Sequence, residues 1–281
     1  MRGREPLLVW LLFGLVTVEI VVTYSRLPAR ELYHVSGSGL AGGASRALVF
    51  LNFPTALVAI ALIALVYEQL PGRALRSSAV AAGLLCTPVF WPGVVDQADL
   101  DARWVNVPAA AGVALALGLT TSRLAGRPAQ HGDRARLALG VLVLLAAPAW
   151  LAADLGFFLN GVPVLGSIYE TGPYFVHHGH HHGMDGVLLV LASLLLSRAL
   201  PAIRSRALRL ATAAYLALML TYGIGNIAND FWLEQVVKRG WTSWAIPSVL
   251  EPRLTWAWAV LVAGAAAIWV AWFGDRRPAV D

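Results

Sequence analysis

At 281 residues, 58% hydrophobic, 13% charged and with eleven tryptophans, this chain is far more apolar than a soluble domain, which carries about 25% charged residues. Its net charge of +5 comes from arginines placed between apolar runs rather than gathered on one face, which argues against a nucleic-acid surface and for membrane topology. The single cysteine, Cys86, excludes an internal disulfide and CxxC chemistry, and the single lysine, Lys238, leaves no mid-helix amine for a retinal Schiff base.

The apolar runs predict an all-α fold, one polytopic integral membrane bundle over residues 1–281 with about eight transmembrane helices, most of them near the ~20 residues that a bilayer requires. The first, about 7–25, follows Met1-Arg2-Gly3-Arg4 with no A-x-A cleavage site after it, and reads as a signal anchor that stays. Glu19 lies toward its far end. The connection 26–46 carries His34 and the run Ser36-Gly37-Ser38-Gly39-Leu40-Ala41-Gly42-Gly43. No strand precedes this run, so it reads as a flexible or re-entrant loop rather than a phosphate cradle.

Span two runs over about 47–67, with Asn52-Phe53-Pro54 near its start. Span three, about 79–95, is short and broken by Pro88 and Pro92. Spans four (104–121) and five (137–158) follow, the latter with Asp154 near its end. A polar connection with Glu170 and a histidine cluster leads to span six (185–200), span seven (210–227) and span eight (254–273). Asn226, Asn229 and Asp230 are expected to cap span seven. The hairpins show no recurring polar signature, which speaks against an inverted-repeat transporter.

Eight crossings put both termini on one side. That side receives fourteen of the 21 Lys and Arg and five of the 16 acids, net +9 against −4 on the other. Positive residues favour the cytoplasm, so both termini are expected there, in the plasma (inner) membrane, with the histidine cluster extracytoplasmic. Glu19, Asn52, Asp154, Asp185 and Asn226 all fall in the outer halves of their spans. Ionisable groups in membrane helices usually face a bundle interior or a wet cavity. Asp230 and Asp96 read as groups that merely snorkel or cap.

The stretch with most chemistry is His177-His178-Gly179-His180-His181-His182-Gly183-Met184-Asp185-Gly186, which holds five of the seven histidines. At roughly 100° per residue, a helix through it would place His178, His181, His182 and Asp185 at i, i+3, i+4 and i+7 on one stripe. Gly179, Gly183 and Gly186 would form a second, small-residue stripe suited to close helix packing. An i, i+4 histidine pair can give one metal ion two nitrogen ligands.

His177-His178-Gly179-His180-His181 resembles one HxxHH box of the membrane fatty-acid desaturases, which carry several such boxes on the cytoplasmic side. Here the only other histidines are His34 and His131. His178-Gly179-His180-His181-His182 is similar to the Hx3H pattern of ceramidase-like hydrolases, whose further serine and histidine motif has no clear counterpart here. Each resemblance covers a handful of residues, and the chain is assigned to neither family.

These features lead to the expectation of a metal-dependent membrane enzyme, a hydrolase or oxidoreductase, that acts on a lipid or other membrane-associated substrate. Its transition metal (zinc, iron or copper) would be bound by His178, His181, His182, Asp185 and His34, with Glu19, Asp154 and Glu170 as catalytic groups. Alternatives are a metal- or proton-coupled transporter and a non-catalytic membrane subunit. No nucleic-acid partner is expected.

Overall fold

The computed structural model describes residues 5–26, 35–96, 99–121, 132–154 and 182–274, with backbone only at 149 and 152–154. Every regular element among the described residues is helical: α1 (Glu5–Arg26), α2 (Gly39–Phe50), α3 (Ala56–Val66), α4 (Gly72–Leu85), α5 (Asn106–Thr120), α6 (Asp133–Asp154), α7 (His182–Ser197), α8 (Arg206–Trp232) and α9 (Trp256–Ile268). Wide helical turns prolong α8 over Leu233–Val237 and α9 over Trp269–Phe273.

Among the described residues, four stretches are long and apolar enough to cross a membrane: Glu5–Arg26, Gly39–Gln69, Arg206–Val237 and Trp256–Phe273. α5 and α7 are apolar but shorter. Leu8, Leu11, Leu15, Val18 and Val22 on α1, and Leu137, Leu142 and Leu145 on α6, remain exposed. Water does not tolerate apolar stripes of this length, whereas lipid does. The chain is therefore a helical membrane protein.

α7 sits at the centre. Every residue from Gly183 to Leu194 on it is buried, so it is apolar all round, as a core helix must be. It packs most extensively on α8, and also touches α6, α1 and α3. The α7–α8 approach is set by Gly186 and Gly223. A Cβ on either would come within 2.6 or 2.8 Å of the other's carbonyl oxygen.

Several element boundaries differ from the sequence expectation, each for a physical reason. Gly39–Gly43 begins α2 instead of forming a loop, because Ser25 Oγ and the Val21 carbonyl occupy the space that a side chain at Gly43 would need. Close contact with α1 thus stabilises a helical start that propensity alone would not favour. The join between α2 and α3 is bent at Phe53, whose extended backbone (φ −149°, ψ 121°) precedes Pro54. Proline lacks an amide donor and pushes the preceding residue out of the helical region. α4 ends at Leu85, ten residues before the expected end of span three, at the Thr87-Pro88 turn.

With α2 and α3 forming one bent span, the contacts between helix ends define two ends of the bundle. One gathers the start of α1 and α6 and the end of α7. Arg198 Nη1 pairs there with Glu5 Oε1 at 2.7 Å, and Arg198 Nε with Asp133 Oδ1 at 3.3 Å. Arg136 donates to Ser197 Oγ at 2.9 Å and lies over the Trp272 ring. The other end gathers the start of α7, the end of α8 and the residues 233–255, and it carries His182.

Candidate functional site at the histidine-bearing end

His182 opens α7 and Asp185 follows one turn later, the spacing that puts both on one face. Asp185 is 2% exposed, and its Oδ2 lies 3.9 Å from His182 Nδ1. That separation makes them ionic neighbours rather than a hydrogen-bonded pair. Trp150 of α6 closes over the same turn. Its indole fills the space that a side chain at Gly183 would take, and its Nε1 donates to Asp230 Oδ2 at 2.5 Å.

Asp230 corrects the sequence reading. It is buried inside α8 and held by an indole, rather than capping or snorkelling. Asn226 and Asn229 likewise stand within the helix, because α8 runs on through Trp232. Asn226 Nδ2 donates to the Tyr222 carbonyl at 2.8 Å, and Asn229 Nδ2 to the Ile246 carbonyl at 3.1 Å. Asn226, Asp230 and Glu234 recur every four residues as a buried polar stripe, ending in the Glu234–Lys238 ion pair at 2.7 Å.

Of the other predicted site residues, Glu19 is half-buried on α1 and accepts from Thr23 Oγ1 at 3.0 Å. His34, Glu170, His178 and His181 lie outside the described residues, as does the side chain of Asp154. The described helix begins at His182, so of the expected four-residue stripe it carries His182 and Asp185. Among the described residues no group of three or more His, Cys, Asp or Glu side chains is close enough to hold a metal ion.

A cavity of about 370 Å3 opens at the same end, within the usual range of small-molecule sites. Phe53 and Leu57, residues 89–93 and Val95, Tyr215, Met219 and Tyr222 of α8, residues 250–252 and Trp258 line it. Tyr222 is the hub, edge-on to Phe53 at 6.1 Å and 5.7 Å from Trp258. The polar atoms of this lining are turned away into the backbone. Tyr222 donates to the Leu250 carbonyl at 2.8 Å, Tyr215 to the Leu57 carbonyl at 2.9 Å, and Trp258 Nε1 to the Glu251 carbonyl at 2.7 Å. The interior therefore presents ring faces and alkyl groups to a guest. Charge stands at the rim, where Glu251 pairs with Arg253 at 2.8 Å.

The two features share α8. Tyr222 faces the cavity, while its neighbour Gly223 meets α7 at Gly186. Sequence reading missed this cavity. The available signal was the pairing of Phe90-Trp91-Pro92 with Pro252 and Trp258, prolines and aromatics on both sides of one missing volume. Trp256 lies apart from the cavity lining, stacked on Trp244 at 5.9 Å.

Compared with known protein families, with curated proteins and with solved structures, the chain matches none.

Proposed function

We propose that the chain is a multi-pass enzyme of the plasma membrane, with about eight crossings and cytoplasmic termini, that works from the outer side on a lipid or other membrane-borne substrate. The observation that carries this reading is the aromatic cavity: apolar within, charged at the rim, and walled by α8, whose Gly223 packs on α7 at Gly186, the residue after Asp185. That profile suits one hydrocarbon chain of an amphiphile whose polar part stays at the rim.

In this reading the His182–Asp185 turn is the reactive pole. His178 and His181 join it as ligands of a zinc, iron or copper ion, and Glu19, Asp154, Glu170 or His34 supplies a further donor or a general base. A buried carboxylate beside an imidazole fits a metal-binding ring, since it favours one orientation and raises ring basicity. A metal so held provides a Lewis acid and an activated water. The chain's own residues exclude bulk water from the turn: Trp150 covers it, and Gly183 lets the indole come close.

The test is metal content per chain in purified protein, measured beside turnover of membrane lipid extracts. His178→Ala or His182→Ala is expected to abolish both, and His180→Ala to leave both largely intact. Imidazoles bind metal in the neutral form, so occupancy should fall as pH drops below the ~6.5 reference value of histidine. Equal loss from every single substitution, or no metal and no turnover in the wild type, would overturn the reading.

A further inference from the structure

Arg46 of α2 is among the most enclosed side chains of the molecule, 2% exposed. Its Nε and Nη1 are buried and have no hydrogen-bond partner among the described residues. A guanidinium keeps its charge at any physiological pH. Removing such a charge from water without a partner costs more than the surrounding packing returns. The arrangement therefore calls for an acceptor.

The position of Arg46 says where that acceptor belongs. Gly43, three residues earlier, meets Ser25 and Val21 of α1, and Phe50, four residues later, packs on Phe13 at 6.0 Å between ring centres. Arg46 thus lies on the stripe of α2 that faces α1. Helical side chains lean toward the helix N-terminus, the direction of Gly43 and of the Ser25 hydroxyl that meets it. Ser25 Oγ is likewise buried and has no partner among the described residues. Two enclosed donor groups therefore belong to adjacent turns of the α1–α2 seam, Ser25 at the level of Gly43 and Arg46 one turn further along α2. This part of the seam lies at the histidine-bearing end.

We propose that Arg46 and Ser25 hold a phosphate anion in this seam. A planar guanidinium can engage two oxygens of a tetrahedral phosphate while a hydroxyl donates to a third. The same group is presented by an anionic lipid headgroup and by free phosphate. The assignment stands on the α1–α2 seam and does not rest on the enzymatic reading. Glu19 is the competing partner, one to two turns away on α1, where its Oε1 accepts from Thr23.

The experiment is the thermal unfolding midpoint of the purified protein, titrated separately with inorganic phosphate, with phosphatidic acid and with phosphatidylcholine. A ligand that binds only the folded state raises the midpoint. For the wild type we expect a rise with phosphatidic acid and none with phosphatidylcholine. A rise with inorganic phosphate as well assigns the site to the free anion, and its absence assigns it to the headgroup. Arg46→Gln should weaken the effect at least tenfold, Arg46→Lys less, and Ser25→Ala several-fold. Ser25→Ala removes one hydroxyl, so it keeps the test available should Arg46→Gln fail to fold. No rise with phosphate or phosphatidic acid in the wild type would overturn the proposal. So would Glu19→Arg and Arg46→Glu each destabilising while the double exchange restores stability, since Arg46 would then belong to Glu19.

Discussion

The two ends of this bundle differ in how they satisfy charge. At the arginine-rich end, charges close on one another: Arg198 on Glu5 and Asp133, Arg136 on Asp133 and Ser197, and Glu68 on the backbone amides of Arg204 and Ser205. At the histidine-bearing end, beside the Glu234–Lys238 and Glu251–Arg253 pairs, two carboxylates are met by neutral donors. Asp230 takes the Trp150 indole and Glu19 the Thr23 hydroxyl. The first arrangement holds helices together near the membrane surface. The second retains polar groups at a cost in stability, and a protein keeps such groups where they act.

The largest expected effect falls on the packing both ends share. Gly223→Leu would drive a side chain into the Gly186 carbonyl and Val190, and should cost about 3 kcal/mol in a reversible unfolding assay. A near-neutral result would mean that α7 and α8 do not cross so closely, and the link between cavity and reactive turn would be lost.

Next comes Trp150→Phe, which leaves the buried Asp230 oxygen without its indole donor. A loss of about 2 kcal/mol is expected, partly recovered when Asp230→Leu is added, because removing both partners leaves no stranded polar group. Thr23→Val should cost about 1 kcal/mol through the same effect on half-buried Glu19. Arg198→Ala, at the ionic end, should cost only about 0.5 kcal/mol, and less in high salt, since partly exposed ion pairs contribute little and are screened. If Arg198→Ala proved more damaging than Trp150→Phe, the contrast between the ends would be wrong.

The cores of the helices were legible in the sequence, because an apolar run in lipid needs no periodic pattern to declare itself. Their ends were less so. Asn226, Asn229 and Asp230 looked like the close of a helix, yet α8 continues, its polar groups satisfied by Trp150, by Tyr222 and by the 246 carbonyl. Gly39–Gly43 looked like a loop, yet contact with α1 makes it helical. Local propensity was overruled in both places by a neighbour far away in the chain. The cavity was illegible for the same reason: Phe53, residues 89–95, Tyr222 and Trp258 come from four separate stretches. The His182–Asp185 turn was visible, since both residues lie on one helix face at local spacing.

The account's central claim is that the aromatic cavity receives a hydrocarbon chain beside the reactive turn. It is tested most directly by photocrosslinking. The protein in lipid nanodiscs would be exposed to a phospholipid with a diazirine on its acyl chain, and the adducts mapped by peptide mass spectrometry. The account predicts adducts concentrated on Phe53, residues 89–95 and residues 250–258, and displaced from them when Met219→Trp fills the cavity. Adducts confined to the outward faces of α1, α6 and α9, and unchanged by Met219→Trp, would contradict it.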